Sequence, residues 1–254
     1  MNTDGLALAE NDLQEVGVIA PSARNATPLP ERTVLCFFQD VLQQLENSGR
    51  LRVIHHLRSE IGVNPVYAMD VEGEVVSVVH PGVGAPLAAG FLEEMIAGGT
   101  TKVVAVGGAG ALVHELVLGH PLVVTEAVRD EGTSFHYLAP SRTVLADPRG
   151  VEVVTQLLTE LHVPHRQAKV WTTDALYRET RSRVERRVTE GCVAVEMEAA
   201  AFMAVAHYRK IAFAQLLYAG DSLAGEVWDE RNWMGHSDAR VAMFDLAVQG
   251  VLRL

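Results

Sequence analysis

Residues 191–201 read Gly-Cys-Val-Ala-Val-Glu-Met-Glu-Ala-Ala-Ala: small apolar side chains that stop at two glutamates and pass into an alanine-rich run. The first half predicts a buried strand and the second half a helix, with Glu196 and Glu198 at the junction. A helix start favours an acid through its dipole, which accounts for one carboxylate. Two are harder to explain, because polar groups at the top of a buried strand are costly unless they meet partners. In open α/β sheets the carboxyl end of a strand is where ligands bind.

Working outward, the next apolar strand pattern, Ile211–Ala219, also leads to an acid, Asp221. Capping of a helix is its plain reading; a site lined by carboxylates is the alternative. Ten positions on, Arg231 sits in WDERNW, a loop with two tryptophans. Upstream, helix patterns alternate with strand patterns: a helix over 33–48, a hairpin turning at Glu72–Gly73, a helix from Ala85 to the glycines at 98–99, and strands at 101–112 and 121–128. Helices at 151–163, near 176–189, at 197–209 and near 237–252 complete the series, and 17–20 reads as a short strand. Such alternation predicts an α/β fold with a largely buried sheet. Residues 1–15 read as a loosely attached tail, and 16–254 as a single domain without repeat or linker.

The chain has 254 residues, a formal charge of −11, 48% hydrophobic and 21% charged residues, the profile of an ordinary globular protein. The acidic balance argues against nucleic acid as a partner. An acidic N-terminus and the lack of a long apolar run predict a cytoplasmic protein without membrane contact. Two cysteines, Cys36 and Cys192, lie in apolar runs and form no disulfide framework. The adjacent His55 and His56, and His162 with His165, lack convergent ligands, so no metal is expected.

Val106–Ala111, Val-Gly-Gly-Ala-Gly-Ala, reads as a glycine-rich loop after a strand. It lacks the third glycine and crossover helix of a dinucleotide fingerprint. A loop whose backbone approaches a ligand and a tight turn fit it equally well.

Together these segments resemble the purine nucleoside phosphorylase, uridine phosphorylase and nucleosidase superfamily. VAVEMEAAAFMAVA is similar to its Glu-Met-Glu-Ala signature. AVRDEGTSFHYLAP resembles its segment after the second glycine loop, AVGGAGAL its phosphate or water loop, and WTTDALYRET its base-stacking segment. The resemblance implies a three-layer α/β sandwich around a mixed, partly barrel-like sheet, in a homo-oligomer (dimer or hexamer). By that likeness Met197 and Glu198 bind ribose, Asp221 is the general acid toward a purine base, and Arg231 assists it. Burial beneath Tyr218 and the tryptophan loop is expected to raise the Asp221 carboxyl. Tyr177, with Leu176 and Glu196, falls on the base side, while Gly107, Gly108, Ala109 and Arg24 fall on the phosphate side.

The implied reaction is phosphorolysis of a purine-type nucleoside to free base and pentose 1-phosphate. Inorganic phosphate is the co-substrate and no cofactor is needed. Phosphorolytic members carry an arginine and hydroxyl residues where this chain has Ala105, Gly108 and Ala109, so backbone N–H groups would serve instead. Hydrolysis by water is the alternative, although PSARNAT lacks the nucleosidase glutamate and Leu217 replaces an arginine of those enzymes. A pyrimidine enzyme, with Arg178 and Arg181 reading the base, and a non-catalytic nucleoside-binding protein stay open.

Overall fold

A computed structural model describes residues 7–10, 12–21, 28–235 and 237–254, with backbone only at Met234. Ten strands form its sheet: β1 (Arg32–Cys36), β2 (Arg52–Ser59), β3 (Gly62–Val71), β4 (Glu74–Val79), β5 (Lys102–Ala111), β6 (Pro121–Asp130), β7 (Thr143–Leu145), β8 (Arg166–Thr173), β9 (Cys192–Glu196) and β10 (Ala212–Ser222). Six α-helices cover them: α1 (Gln39–Asn47), α2 (Ala85–Ala97), α3 (Pro148–Glu160), α4 (Arg181–Thr189), α5 (Ala199–Arg209) and α6 (Ser237–Arg253).

The strands run β10-β6-β8-β9-β5, and β10 also pairs with β5, which closes five strands into a barrel. The β5–β10, β6–β8 and β8–β9 pairs are parallel, whereas β6–β10 and β5–β9 are antiparallel. From β5 the sheet continues outward as β1-β4-β3-β2. This is the mixed, partly barrel-like sheet expected. The helices α2 and α5 pack on one face and α1, α3 and α6 on the other, giving three layers.

α5 is buried from Ala199 through Ala206. A helix apolar on all sides belongs in an interior, and its alanines let it lie close to the barrel strands. Glu72 and Gly73 adopt φ of +53° and +87°, the mirror-image turn that matches strand twist, so β3 and β4 form the hairpin read from sequence.

Three expectations are corrected. Residues 33–36 are strand, not the first turn of a helix over 33–48. Thr33-Val-Leu-Cys36 is fully buried between β4 and β5, where β-branched residues pack well, and the helix starts only at Gln39. The glycine-rich stretch 107–111 is strand rather than loop: β5 continues through it against β10 and β9. Residues 17–20 form no strand, and β2 completes the outer sheet unanticipated. Arg24 lies outside the described residues.

Candidate active site

β5 loses one neighbour before it gains another. Pairing with β1 ends at Cys36 and Val106, where Phe37 N donates to Val106 O at 3.0 Å. Pairing with β9 begins at Gly110. Backbone groups alternate sides along a strand, so Gly108 turns its N–H and C=O to the edge left open between the two partners. It is part-exposed, with buried neighbours on both sides. Phe37 and Tyr218 explain the glycines here: a Cβ on Gly107 would stand 2.9 Å from the Phe37 ring, and one on Gly108 3.3 Å from Tyr218.

β9 runs antiparallel to β5, so the chain past Val195 turns back toward that gap. Glu196 is buried, and its carboxylate is fully engaged. Oε2 accepts from Glu198 N at 2.7 Å and Ala199 N at 2.6 Å, and Oε1 accepts from Thr172 Oγ1 at 2.5 Å. Thr172 Oγ1 in turn accepts from Ala200 N at 3.0 Å. Glu196 therefore caps the first turn of α5, satisfying amides that a helix start leaves open. Sequence reasoning placed it on the base side; its hydrogen bonds are spent on the scaffold.

Glu198 stands at the N-cap of α5, and Gly84 N donates to its Oε1 at 2.6 Å. Gly84 has a φ of +90° at the start of α2, a conformation that favours glycine and aims this amide at the carboxylate. Among the described residues no cation pairs with Glu198. Burial, and then the Glu196 charge, push its carboxyl well above the ordinary range. Met197, between the two buried glutamates, is part-exposed. Beside this end His80 accepts from Gly82 N through Nδ1 at 3.0 Å, and burial lowers its pKa, so the ring stays neutral.

Asp221 occupies the end of β10, past a register shift between Ala219 and Ser222. Trp228 Nε1 donates to its Oδ2 at 2.7 Å, and Oδ1 lies over Gly110, where a Cβ would approach to 3.4 Å. Tyr218 packs edge-on to Phe38 and its hydroxyl donates to Trp233 O at 3.4 Å, while Trp228 of the same loop is the residue that bonds Asp221. Arg231 does not reach Asp221: its Nη1 donates to Leu116 O at 2.8 Å and its Nε lies 3.9 Å from Asp229. Leu176 and Tyr177 lie on an exposed 3-10 turn after β8, Tyr177 with 93% of its surface free.

The structure thus gathers Glu198, Met197, Gly108 and Asp221 around the ends of β5, β9 and β10. It sets Glu196 in the scaffold and Arg231 beneath the loop. Gly84, Thr172 and Trp228 were missed. Trp228 was visible as a loop tryptophan, but its bond to Asp221 depends on how that loop folds back. Among the described residues no group of three or more histidines, cysteines or acids could hold a metal ion, and no helix is long and apolar enough to cross a membrane.

Residues 31–249 match the family described as the phosphorylase superfamily. A guanosine phosphorylase of Halorubrum lacusprofundi is 29% identical over 142 residues, 53% of this chain and 56% of that protein. The chain thus matches little more than half the length of that relative. In fold, a uridine phosphorylase from Vibrio fischeri superposes with a TM-score of 0.73 at 22% identity, covering 88% of this chain and 90% of its own. A purine nucleoside phosphorylase from Toxoplasma gondii, in complex with immucillin-H, gives 0.74 at 16% identity, covering 93% and 98%.

Proposed function

The chain belongs to the phosphorylase superfamily, and from that premise we propose that it cleaves the N-glycosidic bond of a purine-type nucleoside. Phosphate is the attacking group, and free base and pentose 1-phosphate are the products. The observation that carries this reading is Glu198, a buried carboxylate with no cation among the described residues, beside the part-exposed Met197 and one strand-end away from Asp221.

An unpaired buried carboxylate is costly, and sugar hydroxyls are donors that would repay part of that cost. Glu198 accepts from the ribose hydroxyls, orients the sugar against Met197, and stabilises the positive charge that grows on it as the bond breaks. Asp221 gives a proton to the purine at N7, so that the base departs neutral. Arg231 serves this acid indirectly, by holding the turn that carries Trp228. Leu176 and Tyr177 border the base. Phosphate meets the Gly108 amide in the gap along β5, with Gly107 and Ala109 shaping the approach and Arg24 supplying a cation. No cofactor or metal enters the reaction, and the enzyme works as a homo-oligomer in the cytoplasm.

Hydrolysis is the second reading, favoured by one observation: neither a cation nor a hydroxyl side chain stands at positions 105–109 of β5. Base release from guanosine, followed with and without phosphate, separates the two. Phosphorolysis requires the anion and yields pentose 1-phosphate, whereas release at an equal rate in phosphate-free buffer assigns the attack to water.

A further inference from the structure

Trp228 holds the Asp221 carboxylate, but the backbone that carries it needs a support of its own. β10 pairs with β5 as far as Ala219 and again at Ser222, and the register shift between them leaves Gly220 and Asp221 outside that ladder. Trp233 lies against this break. A Cβ on Gly220 would stand 3.5 Å from Trp233 Cβ and 3.8 Å from its Cγ, so the glycine admits the tryptophan directly beside Asp221.

Arg240, in the first turn of α6, lies against the Trp233 ring, its guanidinium carbon 5.8 Å from the ring centre. The same carbon is 4.9 Å from the centre of the Phe38 ring, and Nη2 pairs with Asp40 Oδ1 at 2.9 Å. Phe38 meets Tyr218 edge-on, and the Tyr218 hydroxyl returns to the Trp233 carbonyl. As a stabilising residue Arg240 is poorly placed. It is buried, its Nε meets no acceptor among the described residues, and the dipole of a helix start disfavours a cation. What its planar cation supplies is one surface that attracts two aromatic rings.

We propose that Arg240 is a positioning residue: tethered by Asp40 and packed on Phe38, it seats Trp233 on Gly220 and so fixes the end of β10 from which Asp221 acts. The inference rests on the role given to Asp221 above. Trp228 then holds the acid by its side chain and Trp233 by its backbone. Without the seat, Asp221 drifts from the leaving base while the sheet and the Glu198 end stay intact. A misplacement of about 1 Å costs on the order of 100-fold in a positioned reaction.

The test begins with Arg240→Met, which keeps the length of the side chain and packs among the rings. It should lower kcat for guanosine at least tenfold, leave KM for guanosine and phosphate within twofold, and melt no lower than the wild type. Arg240→Lys, which keeps the cation, should stay within threefold in kcat. In a Trp233→Leu background, Arg240→Met should change kcat less than twofold, because the two residues act as one unit. A wild-type kcat in Arg240→Met, a melting temperature that falls with kcat, no recovery by Lys, or an undiminished loss in the Trp233→Leu background overturns the proposal. Hydrogen exchange of the Trp228 indole, followed by NMR, reads the seat without turnover and should quicken at least tenfold in Arg240→Met. Unchanged exchange refutes the seat whatever the reaction, whereas a wild type that cleaves no nucleoside refutes the reaction proposed for Asp221.

Discussion

Replacing Glu196 tests whether the helix cap holds the Glu198 carboxylate in place. In Glu196→Ala, Glu198 N, Ala199 N and the Thr172 hydroxyl all lose their acceptor in a buried setting. Each such group costs about 1–3 kcal/mol, so the gross loss is roughly 3–9 kcal/mol. Relief of a desolvated charge beside Glu198 offsets part of this, leaving about 2–5 kcal/mol. Glu196→Gln is gentler. Its carbonyl oxygen can keep both backbone amides, but its NH2 group meets Thr172 Oγ1, which already accepts from Ala200 N. The hydroxyl proton of Thr172 is then stranded, at about 1–3 kcal/mol.

The second effect of Glu196→Gln is electrostatic. Glu196 is one of the two influences that raise Glu198, so its neutralisation moves the Glu198 carboxyl back down. Sugar hydroxyls donate to the ionised form, so nucleoside affinity should survive to lower pH in the variant than in the wild type. Urea denaturation at fixed pH reads the first effect and calorimetric binding across pH reads the second. A Glu196→Gln protein as stable as the wild type, with an unmoved pH dependence of affinity, would refute the cap.

Other outcomes follow from the same geometry. Glu198→Ala should cost about 2–4 kcal/mol in kcat/KM, measured by steady-state base release, because it deletes charge-assisted bonds to the sugar. Trp228→Phe removes the donor to Asp221 Oδ2 and should lower kcat for guanosine by about tenfold, a loss of about 1.4 kcal/mol, while leaving the melting temperature nearly unchanged. Gly84→Ala imposes the strain of a φ of +90° and should destabilise by about 1–3 kcal/mol in a denaturant titration. Burial makes Glu179 bind its proton more tightly in the native state, so between its ordinary value of 4.5 and about 7 the native protein holds more protons than the unfolded chain. Stability therefore falls as pH rises through that window, and Glu179→Gln should recover about 1–2 kcal/mol at pH 8 but nothing at pH 4.

Much of this architecture is legible in the sequence because local chemistry and final structure agree. The Glu72–Gly73 turn carries the residues its backbone demands, and the strand-to-helix passage at 192–209 changes period just where two acids appear. The misreadings share a cause in tertiary context. Thr33–Cys36 has apolar residues that suit a helix or a strand alike, and burial between β4 and β5 decides for the strand. Gly107–Gly110 looks like a loop because glycines usually mark one. Here they admit Phe37, Tyr218 and Leu223 close to a strand. Glu196 and Glu198 are indistinguishable by type, and only the path of the first turn of α5 turns one onto the helix amides and the other toward the Gly84 amide. Arg231 carries a charge that suits an acid partner, yet the left-handed turn at Arg231 and Asn232 aims it at Leu116.

The central claim is that the cleft between Glu198 and Asp221 breaks a nucleoside by phosphorolysis. Its most direct measurement is chromatographic detection of free base and pentose 1-phosphate from purine and pyrimidine nucleosides incubated with the full chain, with and without phosphate. The account predicts base from a purine nucleoside, in equal amount to pentose 1-phosphate, only when phosphate is present. Release of base without phosphate, or no release from any nucleoside by the folded protein, would contradict it.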